Sequence, residues 1–327
     1  MRIGIIGAGG QARIHAAAAA AVEGAELVAV AGRTPANVEA MARDFDARPI
    51  DNPDALICDS DIDAVVLACP TAQHHAYALA AFDAGKHVFT EVPIARTVAE
   101  ADAMIAAASD AGRVLMAGQV PRYVATVARF REIVASGELG DVVALSSTRY
   151  SPPYWPAGET LASGHHGDVV KELLAFDIDV FNWMFGPPDG IMGHGHTTGG
   201  AFDHVQVVLR YGDVVVAAEA SALLPRGASF ATTLRAICRD GVVELDVSLP
   251  ENAPVDWRFE IVGPGGERTA VETDPVDPNA AMIEAFRRAV EDLPISGAAT
   301  AEAARDTLNV CRRVDQALHA ADTAFDL

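Results

Sequence analysis

Apolar positions in the first part of this chain fall into two alternating patterns. Short β-forming runs at residues 3–6, 27–31, 64–68, 87–90 and 114–117 are separated by stretches at 11–22, 36–44, 74–84 and 98–111 with apolar residues at helical spacing. Strands alternating with helices in this way predict a parallel sheet covered on both faces. The pattern changes after Arg122. A helix to about residue 136 leads to a strand at 142–150, an aromatic and proline-rich loop at 151–156, and a helix at 168–185. Alternating runs follow at 205–211, 214–220, 231–237, 242–247 and 257–262, with hairpin-like breaks at 211–213 and 239–241. These predict a largely antiparallel sheet, and helices at 279–292 and 300–321 close the chain. The expected fold class is α/β in two domains, residues 1–120 around the parallel sheet and residues 121–327 as an α+β domain with a large, mostly antiparallel sheet.

The first strand runs straight into Gly7-Ala8-Gly9-Gly10-Gln11-Ala12, a G-x-G-x-x-A turn. Gly7 permits the tight turn, Gly9 lets backbone approach a pyrophosphate, and small Ala12 lets the next helix pack on the strand. The helix start then aims free N–H groups at phosphate. Such turns also join strand to helix with no ligand. Here the turn follows an apolar strand and precedes a second strand at βαβ spacing, which points to an N-terminal Rossmann dinucleotide-binding domain.

Composition narrows the partners. The chain carries 24 Lys and Arg against 45 Asp and Glu, and its net charge of −21 repels nucleic acid and anionic membrane alike. A hydrophobic content of 50% is ample for two cores, and no apolar stretch approaches a membrane span. Cys58, Cys69, Cys238 and Cys311 lack C-x-x-C spacing, so neither a disulfide framework nor a zinc ribbon is indicated. With no charged leader ahead of the first strand, a cytoplasmic location is expected. His165, His166, His194 and His196 invite a metal reading, but the two pairs are distant and no acidic ligand is tied to them by spacing, so no metal is expected.

Four stretches make the chain resemble the glucose-fructose oxidoreductase, inositol dehydrogenase and rhizopine-catabolism (Gfo/Idh/MocA) family. They are the opening glycine turn; Cys69-Pro70-Thr71-Ala72-Gln73-His74 with Ala84-Gly85-Lys86-His87-Val88; Glu91-Val92-Pro93; and Gly118-Gln119-Val120-Pro121-Arg122-Tyr123. The helix from Glu172 to Gly186, with Asp177, Asp179 and Trp183, is similar to the family's central helix beneath the substrate. The resemblance implies a nicotinamide cofactor held by Gly7, Ala8, Gly9, Gly10, Gln11, Ala12, Gly32, Arg33, Thr34, Cys69, Pro70, Thr71, His74, Glu91, Val92, Pro93 and Gln119. It implies a small-molecule substrate met by Val92, Arg122, Tyr150, Tyr154, Trp155, Phe176 and Asp179, the three aromatic residues of the loop and its strand forming a platform for a ring or else packing between domains. A homodimer or homotetramer joined through the second sheet is also implied, since strands such as 205–211 and 214–220 keep many apolar side chains for an outer face.

The chain departs from this family at the chemistry. The lysine of the usual Glu-Lys-Pro triplet is Val92, and the central helix carries Glu172 and Phe176 where the family has Asp and His. Neither Val92 nor Phe176 exchanges a proton, yet oxidising an alcohol needs a base, commonly worth ~10²–10⁴ in rate. Glu172 is the leading substitute: helical spacing puts it on one face with Phe176, Asp179 a turn further, where lost solvation would raise its pKa. A solvated or ion-paired helix residue is the alternative. His165 and His166, beside Asp168 and Lys171, are rival proton carriers, or loop and capping residues. Gly32 stands where NAD-preferring relatives carry an acid, and Arg33 and Thr34 offer a charge and a hydroxyl to a 2′-phosphate, so NADP is favoured with NAD as the other choice. A plain turn before a helix at Pro35 is the structural alternative. The expected function is an oxidoreductase acting on a sugar, cyclitol or imine-containing derivative, the lost lysine favouring an imine or conjugated acceptor. A cofactor-binding sensor or scaffold without redox turnover is the competing reading.

Overall fold

Residues 1–157, 159, 161, 167–250, 253–295 and 299–322 are described by the structure, a computed structural model, the side chains of 321 and 322 excepted. Where the sequence pattern divides the chain consecutively, the contacts interleave it. One unit is Met1–Ala125 with Pro275–Leu308, the other Thr126–Asp274 with Asn309–Leu327.

In the first unit, β1 (Arg2–Ile6), α1 (Gly10–Ala21), β2 (Glu26–Ala31), α2 (Pro35–Asp44), β3 (Arg48–Ile50), α3 (Pro53–Ile57), β4 (Ala64–Leu67), α4 (His74–Asp83), β5 (His87–Thr90), α5 (Val98–Asp110) and β6 (Leu115–Ala117) alternate as the pattern predicts. All neighbouring strands are parallel in the order β3-β2-β1-β4-β5-β6, a Rossmann arrangement with its reversal between β1 and β4. Helix starts are made locally. The Asn52 side chain accepts the Ala55 N–H at 2.8 Å, and Thr97 accepts that of Glu100 at 3.1 Å. By contrast α1 begins at Gly10 with no side-chain cap.

The second unit opens with α6 (Ala125–Ser136) and β7 (Val142–Tyr150). A π-helical turn, Val170–Leu174, leads into α7 (Ala175–Phe185). Then come β8 (Gly190–Thr198), β9 (Ala201–Tyr211), β10 (Val214–Ser221), β11 (Phe230–Cys238), β12 (Gly241–Leu249), β13 (Asp256–Val262) and β14 (Arg268–Ala270). The eight strands are ordered β14-β13-β12-β11-β7-β10-β9-β8, with β7 and β10 parallel and the other neighbours antiparallel. Two further helices follow, α8 (Pro278–Val290) in the first unit and α9 (Ala301–Asp322), which starts in the first unit and runs into the second.

Strand alternation sorts the first sheet into two apolar layers. Ile3, Ile5, Val66 and Phe89 meet Ala12, Ala16 and Ala19 of α1 and Met282, Ile283 and Phe286 of α8. On the other face Ile6, Val65, Leu67 and Val88 meet Leu56, Phe82, Ala101 and Met104. Alanines in α1 let that helix lie close, and each large buried side chain contributes about 1.5–3 kcal/mol. In the second unit one sheet face is covered by Phe130, Leu173, Ile178, Phe181, Val310 and Val314. Among the described residues no helix is long and apolar enough to cross a membrane.

Candidate functional site

The glycine turn is built as backbone chemistry requires. Gly7 has φ +133°, and a Cβ there would stand 2.3 Å from the Ala68 carbonyl oxygen, so no side chain fits between β1 and the end of β4. At Gly9 and Gly10 a Cβ would meet nothing within 4 Å, leaving the N-terminus of α1 open to a ligand, with no acidic residue in its first turn. Open backbone beside uncapped N–H groups fits a pyrophosphate. At the end of β2, Arg33 and Thr34 are exposed, and Thr34 starts α2 without making a side-chain cap bond.

Cys69 to Thr71 follow β4, Glu91 to Pro93 follow β5, and Gln119 follows β6, so these residues share the carboxyl edge of the sheet with Gly7 and Gly9. Several are occupied internally. His74 is buried; its Nε2–H donates to the Cys69 carbonyl at 2.9 Å, and its Nδ1 lies 2.9 Å from the Thr90 hydroxyl and 3.2 Å from the Pro93 carbonyl. Its ring therefore ties the Cys69 and Pro93 turns together, and burial lowers its pKa. Burial likewise pushes the Cys69 thiol up to about 11, which keeps it protonated and unreactive at neutral pH. Gln119 and Arg122 are also buried, with Gln119 Nε2 3.4 Å from the Thr307 hydroxyl. Val92 packs partly into the apolar cluster beneath β4 and β5.

A pair that the sequence reading overlooked lies behind this edge. His15 of α1 is fully buried, its ring edge-on to Phe89, and its Nε2 is hydrogen-bonded to Glu91 Oε1. The signal was a lone histidine in the alanine run, a pattern that more often means a satisfied core residue.

In the second unit the expectation for Glu172 needs correction. The residue is exposed and its Oε1 accepts the Gly167 N–H at 3.1 Å, so it is not the enclosed carboxyl expected among Val92 and Phe176. The π turn also alters the face: the Ala175 N–H reaches back five residues to the Val170 carbonyl, so the four-residue spacing from Glu172 to Phe176 no longer spans one helical turn. Phe176 instead lies under the Arg149 guanidinium at 5.6 Å, and Arg149 is paired with buried Asp177 at 2.6 and 3.2 Å. Asp179 is buried.

The aromatic platform does not assemble as expected. Tyr150 pairs with Ser221 on the sheet face opposite Arg149, and burial together with a hydrogen bond to Glu219 pushes its phenol up to about 12. Tyr154 and Trp155 pack edge-on at 5.2 Å against their own unit's core, the Tyr154 hydroxyl donating to the Gly167 carbonyl at 2.9 Å. His165 and His166 lie outside the described residues. Among the described residues no three His, Cys, Asp or Glu side chains gather as a metal site would.

Comparison with known proteins agrees with the cradle. Residues 1–119 match the model of the GFO_IDH_MocA oxidoreductase family, NAD-binding Rossmann fold, and residues 127–267 match the GFO/IDH/MocA C-terminal domain. The chain is 34% identical over 188 residues to inositol 2-dehydrogenase of Acidothermus cellulolyticus, covering 57% of this chain and 53% of that protein. It is 34% identical over 182 residues to glucose-6-phosphate 3-dehydrogenase of Bacillus subtilis, covering 53% and 51%. The aligned stretch thus spans about half the length of these relatives. Among solved structures, UDP-N-acetylglucosamine 3-dehydrogenase from Acidithiobacillus ferrooxidans superposes with TM-score 0.81 at 25% identity over 98% of both chains.

Proposed function

Because the chain belongs to the GFO/IDH/MocA oxidoreductase family, we propose that it is an NAD(P)-dependent oxidoreductase that interconverts a secondary alcohol and a ketone on a small polyhydroxylated ring. The observation that carries the reading is the open backbone at Gly9 and Gly10 beside the uncapped start of α1. Bound there, a nicotinamide dinucleotide supplies a hydride acceptor or donor. Gly7 shapes the turn, Gly9 and Gly10 admit the pyrophosphate, and the α1 N–H groups hold it. The relatives named above are dehydrogenases of inositol, a sugar phosphate and a nucleotide sugar. Their substrates favour a ring alcohol over the imine or conjugated acceptor expected from the missing lysine.

NADP is the preferred cofactor in this reading. Gly32 presents no carboxylate to a 2′-phosphate, and a Cβ there would already press on Val38 at 3.2 Å. Arg33 is exposed beside an α2 start with no acidic residue in its first turn. The test is nicotinamide absorbance during incubation with inositols, sugar phosphates, nucleotide sugars and cyclic imines in both directions. Turnover with a ring alcohol or ketone supports the assignment. Cofactor binding without turnover on any member favours the sensor or scaffold.

A further inference from the structure

Val92 and Phe176 leave the reaction without a proton carrier at either customary position, while a carboxylate and an imidazole sit paired at the carboxyl edge of the first sheet. We propose that Glu91, backed by His15, exchanges the substrate's hydroxyl proton. The proposal rests on the oxidoreductase reading above.

Position comes first. Glu91 directly follows β5, on the β4-β5-β6 side of the reversal point, whereas β2 and β3, on the other side, would take the adenosine ribose. The carboxylate therefore lies on the half of the crevice where a bound nicotinamide would sit. Its two oxygens have different surroundings. Oε1 takes the Nε2–H of His15, whereas Oε2, among the described residues, takes the Val92 N–H at 3.2 Å. Gly118 stands next to Oε2, where even a Cβ would approach to 3.3 Å, so the bare backbone keeps that oxygen uncovered. The Glu91 side chain keeps 16% exposure, enough for an exit to water.

His15 is suited to backing a carboxylate. Its Nδ1 is buried with no hydrogen-bond partner among the described residues, so a proton on that nitrogen would be unsatisfied and the Nε2–H tautomer is the low-cost one. The imidazole is thus a one-ended donor that fixes the carboxylate without opening a second proton route. Glu91 also acts electrostatically on His74 of α4, whose ring is committed to backbone carbonyls and Thr90.

A nicotinamide held at the glycine turn would supply the acceptor for the carbinol hydride in the oxidising direction. The O–H bond breaks, its electron pair closes the ketone, and the proton forms a carboxyl O–H on Glu91 before passing to water. Reduction runs the same bonds backwards, with protonated Glu91 as donor.

Glu91→Gln keeps the shape and an acceptor for His15 while deleting the exchangeable proton. It is expected to lower kcat about 100-fold, a larger effect than on NADPH affinity, and to erase an ionisation from the pH profile of kcat/KM. Added formate should restore part of the turnover of Glu91→Ala, which a purely structural tie between α1 and β5 would not allow. Independently of activity, a low-field imidazole N–H proton resonance is expected in the cofactor-free protein and should vanish in His15→Gln. Wild-type turnover retained in Glu91→Gln, no formate rescue, no such resonance, or loss of turnover in Glu172→Gln alone would each overturn the assignment. Absence of wild-type turnover across the whole panel would instead remove the oxidoreductase reading, and this assignment with it.

Discussion

At the scale of single residues, burial decides which groups titrate. Burial lowers the pKa of His74 below its ordinary 6.5, so the unfolded chain takes up the proton first. The stability this neutral ring contributes is present above that value and is lost as the pH falls through it. His87 is shifted in the same direction by burial and by Arg113. Asp63, held low by Arg2, and Glu100, held low by Arg96, act only in a more acid window. The melting temperature should therefore fall between about pH 7.5 and about pH 5.5, and His74→Gln should flatten that fall even if it lowers the melting temperature overall. An equal slope in the variant would show that His74 is not responsible. Arg33 acts instead through its exposure. Arg33→Ala should weaken NADPH binding by about tenfold and leave NADH nearly unchanged, as removing a charge-assisted phosphate contact costs roughly 1.5–3 kcal/mol at most. Titration of both cofactors by fluorescence checks this, and equal losses for the two would contradict it.

Elements were legible to different depths. The long apolar strands and the amphipathic helices could be read because their periods differ clearly over many residues. A strand as short as Arg48–Ile50 has no room to show a period, and β8 is broken up by Gly190, Gly193 and Gly195. The glycine cradle was readable because close backbone approach demands glycine at fixed offsets. The π turn was not, since over five residues its repeat cannot be told from that of an α-helix, and the misplaced face of Glu172 follows from that single assumption. Nor can spacing tell which face of β7 is inward, so sequence alone leaves Tyr150 on the same side as Phe176. The register that turns Tyr150 away turns Arg149 inward onto Asp177. Asp177 is 1% exposed and the Arg149 side chain 13%, so removing Asp177 leaves a largely enclosed, unpaired guanidinium between Phe176 and Phe230. Asp177→Ala should cost about 3–5 kcal/mol in urea unfolding, and Arg149→Met with Asp177→Leu much less, because an unpaired buried charge is the expensive state. A double variant as unstable as the single one would show that the pair itself, rather than an orphaned charge, carries the stability.

For the molecule as a whole, the face of the second sheet opposite α7 carries an apolar row. Val262, Val242, Ile237, Ala144 and Val215 are register partners across β13, β12, β11, β7 and β10, with Val215 47% and Ile237 46% exposed. Arg235, Glu244, Arg268 and Glu260 form ion pairs beside it. An apolar strip rimmed by charge is suited to covering by a second copy. Light scattering should give a mass above the 34.2 kDa of one chain, and Val215→Lys with Ile237→Lys should reduce it to that of a monomer; a monomeric wild type would contradict this. The interleaved units have a different consequence, for biosynthesis. All six strands of the nucleotide-binding sheet leave the ribosome before any of the second unit's strands, yet Met282, Ile283 and Phe286, which close one of the sheet's faces, emerge only after the entire second sheet has been made. The half of the protein that is translated first is thus the last to be completed. A nascent chain halted ahead of Pro278 would offer chaperones and proteases a sheet with one face covered by α1 alone and partly wet, not a working nucleotide-binding half.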